Sequence, residues 1–336
     1  MAGKRKNDHD KKLPTRVYRG KAKYEFHPAT GGAITLCPLD SPLSLVWAKY
    51  EEACKGIADK KLLSGLIAEY FESATFANLS STSQKDYRKY AKKIIAVFGK
   101  MDPEAVKPQH IRKYMDKRGV TAPTQANREK AFFSLLYGWA YERGMVTKNP
   151  CKGVRQFKEE ARIRYITDDE YNALYSVAPT VVKVAMELAY LCCARQGDVL
   201  GLTKQQLLHD GIFIEQGKTG KRQIKAWSQR LTDAIALAKE LPCADGVSSL
   251  YVIHQNQGQR YTRDGFNSRW QKARNLAKLT FTELAFDFTF HDLKAKGISD
   301  LEGSISDKQK ISGHKTASQT ARYDRKVEIV PVVGAQ

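Results

Sequence analysis

Near its C-terminal end the chain reads SGHKTASQTARY over residues 312–323. A glycine precedes His314, and Tyr323 follows nine residues later, on what the pattern predicts to be a short helix. Upstream, His291 and Lys294 stand three residues apart at the start of another predicted helix, where they share one face. Taken singly, each of these residues has a plain structural explanation, since the chain contains 16 tyrosines and 7 histidines. Their order along the chain is the informative feature.

Two further groups that can act on a phosphate precede this stretch. Arg195 follows an apolar run at 189–194, and Asp198 comes three residues after it. Lys218 lies in the sequence QGKTG at 216–220, which predicts a turn between two strands. This turn is not a nucleotide-binding loop, because it lacks the four-residue spacer between the glycines and its Lys-Thr pair precedes the second glycine.

The composition indicates a polyanionic partner. The 336 residues include 56 Lys and Arg against 36 Asp and Glu, a formal net charge of +20, with a hydrophobic fraction of 42%. Nucleic acid fits such a balance best, a merely basic enzyme is the alternative, and a membrane surface is weaker because no basic amphipathic helix accompanies the charge. Without a long apolar run, a secretory signal or a CxxC pair, the pattern favours a cytoplasmic protein with no metal site.

Residues 1–45 predict a small β-sheet that forms a first domain. Short β-like runs at 16–18, 23–26 and 33–36 are separated by turn residues, and Arg16 and Arg19 alternate with aromatic side chains. Such a sheet suits a DNA groove, and a β-hairpin cap on the next domain is an equal alternative.

Residues 46–150 predict a compact helical domain. Apolar residues recur at helical spacing in four stretches, near 62–71, 82–98, 108–118 and 123–144. The second of these helices, with Thr82 or Ser83 as N-cap, has a basic outer face that we predict to meet DNA phosphates, although solvation explains most such faces. That face consists of Lys85, Arg88, Lys89, Lys92 and Lys93.

After a linker at 151–164, residues 165–336 predict a second domain that mixes helices and strands. Thr167 and Glu170 form a capping box that opens its first helix. The pattern next predicts a buried helix at 181–193, a helix near 230–240, and strands at 211–215, 222–227 and 250–253. The expected fold class is therefore mainly α with small β-sheets, an α+β architecture.

In this order and spacing, the motifs at Arg195, Lys218, His291, His314 and Tyr323 resemble those of the tyrosine recombinase (phage integrase) family. The resemblance is strong over about residues 165–330. The helical domain is similar to the family's core-binding domain, and the N-terminal sheet is similar to the arm-binding domain of some phage integrases. The family implies site-specific recombination that integrates or excises phage or mobile-element DNA.

The resemblance also implies a role for each site residue. Tyr323 would attack the phosphorus and form a covalent 3′-phosphotyrosine, with His291 assisting removal of its proton. His314 would donate a hydrogen bond to a non-bridging oxygen, and Lys218 would protonate the departing 5′ oxygen. Asp198 would orient the phosphate-binding arginine. No cofactor is needed, because the phosphotyrosine stores the energy of the phosphodiester.

One position departs from the family, which usually has arginine where this chain has Lys294. Arginine presents a planar fork to two phosphate oxygens, whereas lysine offers a compact point charge. Together with Arg195, Lys294 would hold the non-bridging oxygens, or Lys296, Arg322 or Arg325 would supply part of that contact.

The resemblance implies partners as well. They are double-stranded DNA at core and arm attachment sites, three further copies of the chain in a tetramer on that DNA, and a host DNA-bending protein with an excision factor. The apolar tail 327–333 would dock on a neighbouring copy, or it would add a strand to its own domain. Two other functions stay open: a DNA-binding relative without activity, and an enzyme similar to a type IB topoisomerase.

Overall fold

The structure is a computed structural model that describes residues 8–29, 31–327 and 329–334. The chain divides into two compact units between Glu159 and Glu160. Each unit has its own hydrophobic core, and each is described separately.

The first unit begins with a short helix and a three-stranded antiparallel sheet in the order β1-β2-β3. These elements are α1 (Asp8–Lys11), β1 (Val17–Arg19), β2 (Lys23–Phe26) and β3 (Ile34–Pro38). Helix α2 (Leu43–Lys60) then packs Val46 and Tyr50 against the sheet, where they share one small core with Phe26. The domain boundary expected at residue 45 therefore falls inside α2. The sheet alone is too small to bury an apolar face, and α2 covers it.

Five helices complete the first unit and enclose a core rich in aromatic side chains. They are α3 (Leu63–Glu72), α4 (Ala74–Ala77), α5 (Ser81–Phe98), α6 (Pro108–Gly119) and α7 (Pro123–Tyr141). The N-cap of α5 is Ser80, whose hydroxyl accepts from the backbone N–H of Ser83, so the expected cap at Thr82 or Ser83 is wrong by two or three residues. Residues 154–167 contain neither helix nor strand.

The second unit is built around the buried helix α9. Its elements before the sheet are α8 (Asp168–Val177), α9 (Thr180–Leu191) and α10 (Gln196–Leu200). The sheet is antiparallel and consists of β4 (Leu207–Leu208), β5 (Gly211–Glu215) and β6 (Arg222–Ala226). The remaining helices are α11 (Gln229–Lys239), α12 (Arg263–Thr280), α13 (Asp292–Asp300), α14 (Ile305–Ser312) and α15 (Ala317–Ala321). Thr167 and Glu170 form the expected capping box on α8.

One predicted strand is wrong. Residues 250–253 form no strand, and Tyr251 makes only an isolated bridge with Thr203. Two backbone hydrogen bonds tie this segment to residues 202–204, while Leu250 is 67% exposed, so the apolar run serves as a loop that buries Val252 and Ile253.

The C-terminal segment also differs from its expected form. Tyr323 lies two residues beyond the end of α15 rather than on that helix. Beyond it, Val327 and residues 329–333 are exposed and form no strand within the described part of the tail, so the tail does not extend this unit's sheet. No helix among the described residues is long and apolar enough to cross a membrane.

Candidate active site

The two sequence-predicted histidines of the second unit meet at Tyr323. The Nε2 atom of His291 lies 2.8 Å from the phenol oxygen of Tyr323, and the two rings pack edge to face. The ring of His314 lies 4.8 Å from that of Tyr323, centroid to centroid. His291 is the N-cap of α13, and Gly313 ends α14 in the left-handed conformation (φ 67°), which turns the chain and places His314 next to the tyrosine.

Burial keeps both imidazoles neutral near neutral pH. Desolvation lowers the pKa of His291; the carboxylate of Asp292 opposes this shift, and the charge on Lys294 adds to it, so this ring is free to accept a proton from the phenol. Desolvation, aided by the charges on Lys294 and Arg195, lowers the pKa of His314 to about 4.

A contact at Nδ1 orients the ring of His314. Its Nδ1 lies 3.3 Å from the hydroxyl of Thr320, and its buried Nε2 has no hydrogen-bond partner among the described residues. The Thr320 hydroxyl has a second acceptor in the carbonyl of Thr316, 3.4 Å away. In the tautomer in which this hydroxyl donates to Nδ1, the ring proton of His314 resides on Nε2, which is then a hydrogen-bond donor beside Tyr323.

Arg195 stands at the start of α10 and is held by a residue that the sequence did not single out. Its Nη1 donates to Oε1 of Gln216 at 2.7 Å, and Nε2 of the same amide donates to the carbonyl of Ser312 at 3.0 Å. Gln216 thus links the arginine to the end of α14. The sequence signal for it was its place as the first residue of the predicted turn at 216–220.

Lys294 is a buried cation without a counter-ion in the described ranges. It is 1% exposed, and its Nζ donates only to the carbonyl of Ser312, at 3.4 Å. Desolvation, with the charge on Arg195 second, lowers the pKa of Lys294 to about 8. A buried ammonium beside a guanidinium is unfavourable alone, and an anion between them would relieve both the desolvation and the repulsion.

The other cations considered for this contact are placed elsewhere. Lys296 pairs with Asp168 at 2.6 Å and with Asp300 at 2.9 Å. Arg325 pairs with buried Asp292 at 2.7 Å. Arg322 is exposed at the end of α15. Of these candidates, Lys294 is the one whose pKa the charge on Arg195 lowers.

Lys218 lies at the exposed tip of the turn between β5 and β6, as expected. Asp198, expected to orient Arg195, instead accepts a hydrogen bond from the backbone N–H of Gly217 at 2.9 Å. The carboxylate thus holds the turn next to Lys218 rather than the arginine, because the turn folds back over the start of α10.

Three tethers hold the segment that carries Tyr323, and sequence reasoning missed all of them. Ser299 donates to the carbonyl of Tyr323 at 3.0 Å and accepts from the backbone N–H of Arg325 at 2.7 Å. Lys308 pairs with Asp324 at 2.7 Å. Arg325 pairs with Asp292, the residue that directly follows His291. These contacts join elements distant in the chain, so no local pattern reveals them.

The predicted DNA-facing residues of the first unit are all on its surface. The five basic residues of α5 are exposed: Lys85, Arg88, Lys89, Lys92 and Lys93. The guanidinium of Arg88 lies 4.7 Å from the ring centre of Phe76, which orients it by a cation–π contact. Arg16 and Arg19 are exposed at the sheet, and Arg19 lies 5.9 Å from the ring of Tyr24.

The comparison with known families matches the unit that holds this site. Residues 164–328 match the model of the phage integrase family. Over these residues the chain belongs to the phage integrase family. Among curated relatives, the integrase of Escherichia phage HK022 is 31% identical over 192 residues, which are 55% of this chain and 53% of that protein. The match thus spans about half the length of the curated relative.

Solved structures extend the likeness to most of the chain. A lambda integrase fragment, crystallised as a dimer bound to a core site, matches with a TM-score of 0.70 and 20% identity over 82% of this chain and 100% of that one. A lambda integrase tetramer bound to a Holliday junction matches with a TM-score of 0.65 and 18% identity over 91% of this chain and 97% of the other. At such identities these matches show that the mainly helical fold is that of a phage integrase.

Proposed function

We propose that this chain is a site-specific DNA recombinase that cuts and rejoins strands through a covalent phosphotyrosine. The observation that carries the proposal is the 2.8 Å contact between Tyr323 and a neutral His291, close to the charges of Arg195 and Lys294. Family membership of residues 164–328 supports the same activity.

In the first step the phenol oxygen of Tyr323 attacks the scissile phosphorus while His291 accepts its proton. The new bond joins the phenol oxygen to phosphorus, and the bond from phosphorus to the 5′ oxygen breaks. Negative charge grows on the non-bridging oxygens, where Arg195 and Lys294 bind it and His314 donates from Nε2. These groups are already fixed by packing, so little reorganisation is needed as the charge develops.

Lys218 supplies the proton for the departing 5′ oxygen, since an alkoxide is otherwise a poor leaving group. The 5′ hydroxyl of a partner strand then attacks the phosphotyrosine in the reverse sense, which restores a phosphodiester and frees Tyr323. The protein residues complete this cycle without a cofactor.

DNA is the proposed partner of both units. The net charge of +20 and the exposed basic face of α5 suit a core-type site, and Arg16 and Arg19 suit an arm-type site. We further propose a tetramer on DNA, in which the exposed tail after Val327 docks on a neighbouring copy, with a host DNA-bending protein and an excision factor assisting. The reaction would take place in the cytoplasm of a bacterial host.

A nicked suicide duplex tests the proposal, with a crossover sequence first selected from random DNA by its binding to the chain. The wild-type protein should form a covalent adduct that survives denaturation. Tyr323→Phe removes one hydroxyl, so this variant should bind the duplex equally and form no adduct. The exposed Tyr141, changed to Phe, is the matched control and should behave as wild type. An adduct formed by the Tyr323 variant would refute the assignment, and no adduct from the wild type would favour a non-catalytic DNA-binding protein.

A further inference from the structure

Strand β6 has an inverted polarity pattern that the proposed chemistry does not use. Ile224 points outward and is 51% exposed, while its neighbours Gln223 and Lys225 face the protein and are partly buried. Alternate residues of a strand lie on the same face, so the amide and the ammonium point together toward one part of the second unit. A strand ordinarily turns its apolar residues toward the core and its polar residues toward solvent. The opposite arrangement in β6 therefore calls for contacts that stabilise the two inward polar side chains.

Those contacts are made with the last turn of α14. The final carbonyls of a helix lack partners within the helix. Here Gln223 donates to the carbonyl of Lys310 at 2.6 Å, and Lys225 donates to that of Ile311. Gln216, at the other end of the hairpin turn, donates to the carbonyl of Ser312. Three successive carbonyls thus receive donors from the β5–β6 hairpin.

The hairpin and the helix end approach each other closely at the next position, Gly313, whose left-handed backbone (φ 67°) itself favours glycine. A Cβ on Gly313 would lie 2.4 Å from Nε2 of Gln216 and 2.7 Å from Oε1 of Gln223. Gly313 directly precedes His314, so the hairpin contacts fix the backbone from which that imidazole projects.

The opposite side of the turn is held as well. Asp198 accepts from the N–H of Gly217, and Arg195 donates to Gln216. The turn that carries Lys218 is therefore fastened on one side to the start of α10 and on the other to the end of α14. The long, exposed side chain of Lys218 makes no hydrogen bond or ion pair within the part of the chain that the structure describes, so its reach depends on where the hairpin is held.

We propose that Gln223 and Lys225 are positioning residues, which hold the hairpin so that Lys218 reaches the 5′ oxygen as it leaves. This inference rests on the proposed function. Lys225 has no ion pair within the described ranges, and burial lowers its pKa. Burying this ammonium to donate to the carbonyl of Ile311 therefore costs folding free energy, which a role in positioning the hairpin would explain.

The test compares two leaving groups. In one suicide duplex the scissile 5′ position carries oxygen, and in the other it carries sulfur, which departs as a thiolate and needs no proton. Lys218→Ala should lose about 10²-fold or more in single-turnover cleavage of the oxygen substrate and recover with sulfur. Gln223→Ala and Lys225→Met should lose about 10-fold or more with oxygen and cleave the sulfur substrate within about 3-fold of wild type. Lys221→Met, an exposed lysine of the same hairpin, is the control and should match wild type on both.

The outcomes separate this inference from the proposed function. Equal losses on both substrates would mean that Gln223 and Lys225 only stabilise the fold, and no loss on either would mean that the hairpin needs no such fastening; each result overturns the inference. Lys225→Arg keeps a donor and should restore most of the oxygen cleavage, whereas a fold defect would show in circular dichroism and thermal unfolding. A wild-type protein that cleaves neither substrate, or a Lys218 variant that sulfur does not rescue, would refute the proposed chemistry itself.

Discussion

His291 Nε2 and the Tyr323 phenol oxygen lie 2.8 Å apart although 32 positions separate the two residues in the chain. A salt bridge also connects the two chain segments, since Asp292, directly after His291, pairs at 2.7 Å with Arg325, two residues after Tyr323. A base and a nucleophile are thus held together by contacts on each side, and not only by their own hydrogen bond. Such fixed geometry is what a proton transfer coupled to nucleophilic attack requires.

The first prediction concerns the acid side of the pH profile. The pKa of His291 lies below its ordinary value of 6.5, so the ring is neutral above that pH and becomes protonated as the pH falls through the lowered pKa. Cleavage should therefore stay constant from about pH 7 down to about pH 6.5 and decline only below it. Single-turnover cleavage rates measured between about pH 5 and pH 8 would show this acid limb, the decline of the rate at low pH. His291→Gln should lower the rate about 10²-fold and remove the limb, whereas His209→Gln, at a fully exposed histidine, should change neither.

A second prediction concerns the alkaline side. The groups that act on Lys294 are the cations Arg195 and Lys225 and the groups Cys193 and Asp198, and burial dominates over all of them. With a pKa of about 8, the ammonium loses its charge above that pH in the free protein, so kcat/KM should fall there. Lys294→Arg should move this limb to higher pH, because a guanidinium stays protonated.

The same residue predicts a rate effect. Lys294→Met keeps the volume and removes the charge, so cleavage should fall about 10²–10³-fold while binding to the duplex changes little. A methionine variant that cleaves at the wild-type rate would mean that the phosphate is not bound at this position.

Lys294 and Lys296 should affect stability in opposite ways. Burial of Lys296 opposes its charge, but its hydrogen bonds with Asp168 and Asp300 outweigh this and raise its pKa. Lys296→Met should therefore lower the free energy of unfolding by about 3 kcal/mol. The pKa of Lys294 is about 8 in the folded protein and 10.5 in the unfolded chain, so between these values the unfolded state binds more protons. The contribution of Lys294 to the free energy of unfolding therefore increases as the pH rises from about 8 toward 10.5. Lys294→Met should not lower stability at neutral pH. Urea unfolding of the two variants, side by side, checks both statements, and equal losses would contradict them.

The sequence predicted that His291 and His314 meet Tyr323, but not what holds them there. The spacing of Arg195, His291, Lys294, His314 and Tyr323 was enough to predict a common site, and the charge on Arg195 does act on both histidines and on Lys294. These residues stand beside helix ends and glycines, which local patterns reveal.

The supporting contacts were not predictable in the same way. Gln216, Ser299 and the Asp292–Arg325 pair act across elements far apart in the chain, and their positions are set by tertiary packing alone. The strand expected at 250–253 failed for a related reason. Its apolar residues satisfy the core of the second unit from a loop, and apolarity alone does not distinguish a loop from a strand.

The last prediction concerns the N-terminal sheet and where it can be cut away. Helix α2 buries Val46 and Tyr50 against the sheet, so a chain that starts at residue 46 would expose this apolar face, whereas one that starts at residue 61 removes sheet and helix together. The shorter chain should remain monodisperse and keep its binding to a crossover duplex, and the longer one should aggregate. Because phosphate contacts in the sheet would be lost, the slope of log K against log salt should become less steep by about 0.9 per contact. The full-length Arg16→Ala, Arg19→Ala variant keeps the fold and should lose binding only to arm-type sequences selected from random DNA. If the chain that starts at residue 61 binds every selected sequence as tightly as the full chain, the sheet is a structural cap on α2 and contacts no DNA.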